Sequence, residues 1–364
     1  MQGIDLSRRF YEDLVRPWLR AAYPDVRHAA ALIGYGSEVL GFDDEMSRDH
    51  NWGPRVWLFV GESEFAARAD AIVERFAAFA PASFEGVPIG YSKQTPQNAP
   101  GVRCDIRHGV EVRTLEATLA GGLGVSLAGP SDNRAWLGLA EQWLLEFTGG
   151  AVFHDDDGRL TAMRQRLAYL PRDVWLYKLA CQWRRIAEEQ AFVGRTGLSG
   201  DEVGSRVIAA RLARDVMRTA FLVERRYTPY PKWFGTAFAQ LPAAAELAPL
   251  VARTLAASDW RTREAALAAS YLALGRLHRT RGLPGRFEPV TGPYFGRPFT
   301  VINADEITAA IRAEIEDPVL RDLPIIGSLD QVTDAAPVIE APGRARRAMA
   351  ALLDDLETAA IEEA

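Results

Sequence analysis

Apolar residues recur at Phe10, Leu14, Trp18 and Leu19, a helical spacing, and Pro24 closes the run, so an amphipathic helix is expected over Leu6 to Ala22. Ala29 to Ile33 and Val56 to Val60 are short apolar runs of strand length. Between the second run and the next turn signals, Glu62 to Phe79 is alanine-rich with Phe65, Ala69, Ile72 and Phe76 on one side, a helix that covers a sheet face. Pro81 to Pro100 is rich in Pro, Gly, Ser and Gln and reads as loop. Val102 to Ile106 and Val110 to Leu115 alternate and read as strands of the same sheet.

From Trp136 onward the pattern is almost entirely helical, with helices expected at Arg172 to Ile186, Asp201 to Arg225, Ala243 to Ala256, Trp260 to His278 and Asp305 to Glu316. The stretch Phe153 to Leu160, FHDDDGRL, interrupts it. His154 with Asp155, Asp156 and Asp157 has the makings of a metal site, but Asp157-Gly158 is a hairpin-turn signal and the turn reading is preferred. His278 reads as a helix-surface residue. The change of period puts a boundary near residues 125–150. The expected class is α+β: a small mixed-sheet domain over 1–135, then an all-helical domain over 136–364.

With 364 residues and 48% hydrophobic content, the chain can bury a core in each of two domains. The formal net charge of −6 supplies no general basic field, which disfavours a long nucleic acid as substrate. Cys104 and Cys181, the two cysteines, fit neither a disulfide framework nor a zinc spacing, and the opening MQGIDLSRRFYEDL carries charges where a signal peptide needs an apolar core. No apolar run approaches the roughly 20 residues of a membrane span. A reduced, cytoplasmic protein is expected.

The chemistry is concentrated in Ala29 to Val60. Gly36-Ser37 follows the first apolar run and lets the backbone come close to a triphosphate; Asp49, with eleven residues between it and Ser37, has the chemistry to hold the divalent metal that a triphosphate needs. Residues two apart in an extended segment face the same way, so Asn51 shares the side of Asp49. For a third metal ligand the best candidate is Glu111, a carboxylate between Val110 and Val112, with Asp105 as fallback. Asp43, Asp44 and Glu45 are available to compensate for the neutral Asn51.

This segment resembles the signature of the nucleotidyltransferase superfamily: an apolar strand, Gly-Ser, a spacer, then Asp-x-Asp leading into a second strand. Gly36, Ser37 and Asp49 match, Asn51 stands where the second aspartate is expected, and Trp52-Gly53-Pro54 separates the pair from its strand. The stretch Thr228 to Leu241, TPYPKWFGTAFAQL, and the Arg-rich helix before it resemble the helical half of kanamycin-nucleotidyltransferase-like proteins. Nearly all of the chain resembles a bacterial domain-of-unknown-function group of nucleotidyltransferase-like proteins, where DHDWGP is expected in place of DHNWGP.

The resemblance implies an Mg²⁺-dependent nucleotidyltransferase that moves a nucleoside monophosphate from an NTP, ATP being the expected one, to a hydroxyl of a small-molecule acceptor. In that reading Gly36 and Ser37 cradle phosphate, and Asp49, Asn51 and Glu111 hold the metal. In the helical half, Tyr227, Tyr230, Lys232, Trp233 and Phe234 cluster around two prolines, and Arg211, Arg214 and Arg218 repeat at helical spacing. Lys232 and Arg214 are the candidates for phosphate contacts in a cleft between lobes, and Asp215 for the general base. The alternative is a catalytically silent nucleotide-binding or regulatory module that lost its second aspartate. An RNA-cleaving helical domain is discounted, because the one Arg-to-His spacing of that kind, Arg103 to His108, falls among the strands.

Overall fold

The computed structural model describes residues 2–48, 52–89 and 109–362 of the chain. They divide into two compact units, the first made of residues 1–130 and 142–168, the second of 131–141 and 169–364.

The first unit is built on a four-stranded mixed sheet. Strands β1 (Ala29–Leu32), β2 (Val56–Phe59), β3 (Val110–Arg113) and β4 (Ala151–Asp155) lie in the order β3-β2-β1-β4. β1 pairs antiparallel with both β2 and β4, whereas β2 and β3 run parallel. A parallel pair needs a crossover, and helix α1 (Glu62–Phe79) supplies it. Residues 3–22 are helical throughout, with a π-helical turn at Phe10–Val15 between Gly3–Arg9 and Arg16–Ala22. Phe10, Val15 and Leu19 from this segment meet Ile72 and Phe76 of α1 and Ala30, Val56, Leu58 and Val110 of the sheet in one buried core. The edge-to-face contact of Phe10 with Phe76, at 6.1 Å between centroids, is typical of aromatic pairs in such a core.

The second unit is dominated by helices. In α2 (Arg172–Glu189) every residue from Val174 to Trp183 is buried, the mark of a helix surrounded on all sides. Packed with it are α3 (Glu202–Val223) and α5 (Ala304–Arg312), and α4 (Trp260–Thr280) packs in turn on α3. Among the described residues no helix is long and apolar enough to cross a membrane.

Three expectations need correction. Ala151–Asp155 is a sheet strand, and Gly158, with φ +67°, leads into the helix Arg159–Arg166 and not into a hairpin partner. A two-stranded hairpin, Thr291–Tyr294 with Arg297–Ile302, lies within the stretch read as almost entirely helical. His278 is buried, donates from Nε2 to the Pro284 carbonyl at 2.8 Å, and packs on Phe287. A helical period reports which face is buried, so one imidazole on the inner face of α4 looks no different in sequence from one on the surface. The strand Val102 to Ile106 lies outside the described residues.

Candidate functional site

At one end of the sheet the C-terminus of β1 meets the N-termini of β2 and β3, with Ala31 opposite Trp57 and Trp57 beside Glu111. The chain leaving β1 turns through Gly34 and Gly36, whose φ angles of +82° and +118° disfavour any L side chain. Space matters as much as angle. A Cβ at Gly34 would lie 2.2 Å from the Trp57 ring, and one at Gly36 would lie 2.3 Å from Arg55 Nη2.

Arg55 fixes this turn. Its side chain is 1% exposed, donates from Nε to Glu38 Oε1 at 2.8 Å and from Nη2 to the Tyr35 carbonyl, and lies 4.7 Å from the Tyr35 ring centre. Tyr35 Oη in turn donates to Glu111 Oε1 at 2.5 Å, and Arg113 Nη2 donates to Glu111 Oε2 at 2.6 Å while its guanidinium covers the Trp57 ring at 3.8 Å. Glu111 is thereby held with 10% of its side chain exposed. A carboxylate oxygen is the donor type that a hard divalent cation takes.

Ser37 Oγ donates to the Ser47 carbonyl at 3.0 Å, tying the Gly-Ser turn to the segment two residues ahead of Asp49. Asp43 Oδ2 accepts from the Gly3 amide at 2.7 Å and Trp52 Nε1 at 3.2 Å, Asp44 Oδ1 accepts from the Ser47 amide, and Arg48 lies 4.6 Å over Trp52. Asp43 and Asp44 therefore brace the loop. Asp49, Asn51 and Asp105 lie outside the described residues.

The helical candidates belong to the second unit. Lys232 is exposed, 4.8 Å over the Trp233 ring. Arg214 pairs with Asp334 at 2.8 Å and Arg211 with Glu189 at 2.6 Å; Arg218 donates to the Asp330 carbonyl, and burial pushes its pKa down. Asp215 is buried and accepts from Gln182 Nε2 at 2.8 Å and Arg185 Nε at 3.4 Å. Trp233 and Tyr227 are buried, and Phe234 stacks on Phe221 at 5.7 Å.

Two clusters go beyond the sequence reading, which named neither Glu141 nor Lys178 and weighed His154 and Asp156 without His28. In the second unit, Lys178 Nζ pairs with Glu141 Oε1 at 2.5 Å, both buried, while Glu141 Oε2 accepts from the Thr228 amide at 2.6 Å and the Glu141 amide donates to Asp330 Oδ2 at 3.1 Å. Burial acts to raise the Glu141 pKa, but the ammonium and the amide outweigh it and hold the carboxylate below its ordinary range. In the first unit, His28, His154 and Asp156 converge, with ligating atoms all within 4.8 Å of one another. Their separation in sequence, 28 against 154, hid the grouping.

The family described as Domain of unknown function (DUF4037) matches residues 136–234. No curated protein matches the chain. Among solved structures, the chain is similar to a nucleotidyltransferase-like protein from Exiguobacterium sibiricum, with 10% identity, coverage of 78% of this chain and 82% of that one, and a TM-score of 0.33.

Proposed function

We propose that the protein is an Mg²⁺-dependent nucleotidyltransferase that transfers a nucleoside monophosphate from an NTP to a hydroxyl of a small-molecule acceptor. The observation that carries the reading is the convergence of the Gly36-Ser37 turn, the segment leading to Asp49 and the Glu111 carboxylate at one end of the sheet. In-line transfer needs phosphate held beside carboxylates that share a divalent ion, and a glycine turn next to fixed acids supplies both kinds of contact.

In this proposal Gly36 and Ser37 approach the phosphates, and Asp49, Asn51 and Glu111 hold Mg²⁺, which would neutralise charge on the triphosphate. Tyr35 and Arg113 orient Glu111. Asp215, buried with two donors of its own, is given no proton-transfer role. The test is pyrophosphate release from NTP for the wild type and for Asn51→Asp. A second carboxylate beside Asp49 should tighten Mg²⁺ and raise the rate. NTP binding without pyrophosphate release from either form would favour a silent nucleotide-binding module.

A further inference from the structure

We propose that His28, His154 and Asp156 form a binding site for one divalent transition-metal ion of the zinc type, separate from the nucleotide chemistry proposed above. His28 stands immediately before β1, His154 lies within β4, and Asp156 follows β4, so the three donors span the β1–β4 seam of the first unit. His154 Nε2 lies 2.8 Å from Asp156 Oδ1, and His28 Nδ1 lies 3.8 Å from Asp156 Oδ2, too far for a hydrogen bond. The two imidazole centroids are 4.8 Å apart.

His28 gives the independent indication of a ligand. Its side chain is 5% exposed, yet Nδ1 has no hydrogen-bond partner among the described residues, while the opposite nitrogen, Nε2, lies 2.8 Å from Tyr11 Oη. A metal-bound imidazole characteristically has its second nitrogen engaged by a polar group that fixes the tautomer and ring angle. With Nε2–H donating to Tyr11 Oη, Nδ1 keeps its lone pair for a metal and lies on the side of Asp156 Oδ2. Tyr11 belongs to the π-helical turn Phe10–Val15, and its ring also stacks over His154 at 6.3 Å. Tyr11 is thus a positioning residue for both imidazoles.

The carboxylate is fixed in the same way. Asp156 Oδ2 accepts from the His28 amide at 2.9 Å, and the Asp156 amide donates back to the His28 carbonyl at 3.2 Å. Two imidazoles and a carboxylate suit zinc and its neighbours better than Mg²⁺, which prefers all-oxygen ligands. Bonds of about 2.0–2.2 Å put tetrahedral donors roughly 3.3–3.5 Å apart. The present spacings bracket that range, so small side-chain rotations suffice, and the ion replaces the hydrogen bond between His154 and Asp156. Asp156 is exposed and His154 half-buried, which leaves a path for entry and a fourth position for solvent.

An ion there clips β4 to the start of β1, so it stabilises the first unit by binding its folded form. The test uses the full chain, stripped with chelator and titrated calorimetrically with Zn²⁺ in millimolar Mg²⁺. One Zn²⁺ per chain is expected, with a rise in the unfolding temperature. His154→Ala and Asp156→Asn, both at accessible positions, should weaken binding by at least about tenfold and abolish the thermal shift, Tyr11→Phe should weaken it less, and Asp49→Asn should leave it unchanged. Failure to take up Zn²⁺, or equal uptake by wild type, His154→Ala and Asp156→Asn, would overturn the proposal and leave the cluster a hydrogen-bonded His–Asp pair only.

Discussion

Arg55 and Glu38 form a buried ion pair behind the Gly-Ser turn, 2.7 Å from Nη2 to Oε1, with each side chain 1% exposed. The pair joins the residue ahead of β2 to the residue after Ser37, so it sets where the turn sits relative to the sheet. Breaking one half of such a pair leaves an uncompensated charge out of water. Arg55→Met is expected to cost about 3–5 kcal/mol in denaturant unfolding, with part regained when Glu38→Leu is added. A loss under about 1 kcal/mol would show that water reaches Glu38.

Gly36 and Gly121 should respond to alanine with opposite signs. Gly36 combines φ +118° with a Cβ position 2.3 Å from Arg55 Nη2, whereas Gly121 lies in the helix Leu115–Gly122 with nothing within 4 Å of its Cβ position. Gly36→Ala is expected to destabilise the first unit by ~2 kcal/mol or more. Gly121→Ala should stabilise it by up to ~1 kcal/mol through the unfolded state. Thermal unfolding of the two variants checks both signs.

Asp330 should give the second unit an unusual pH dependence. Burial first, and then the Glu141 carboxylate, push its acid up to about 6 from an ordinary value of 3.8. The folded chain therefore holds a proton that the unfolded chain has released. That contribution is fully present below about 4 and is lost as pH rises through 6. Wild type should lose on the order of 2 kcal/mol relative to Asp330→Asn between pH 4 and 7, measured by urea unfolding. A constant difference across that range would mean that Asp330 titrates normally.

The parts legible in the sequence were those with a period. Glu62–Phe79 appears at its expected limits, and β1, β2 and the long helices lie within a few residues of theirs, because one buried face per element leaves its spacing in the chain. β4 was not legible. Its five residues are half-buried, without apolar alternation, and its Asp-Gly exit carried a competing turn signal. At the candidate site, Gly36, Ser37 and Glu111 were visible because glycine and isolated acids are conspicuous among apolar residues. Arg55 and Glu38 were not singled out, since a charge beside an apolar strand ordinarily reads as solvent-facing. His28 could be joined to His154 only by the β1–β4 register, which a linear sequence does not state.

The most direct test of the nucleotidyltransferase account is calorimetric titration of the protein with a non-hydrolysable NTP, with Mg²⁺ and with chelator, for the wild type and Glu111→Gln. Binding should be tighter with Mg²⁺. Glu111→Gln should remove about 1.4–2.8 kcal/mol of that gain, roughly ten- to a hundredfold, because a carboxylate facing a divalent ion loses its charge in a partly shielded site. Equal affinities with and without Mg²⁺, or between the wild type and Glu111→Gln, would contradict the account.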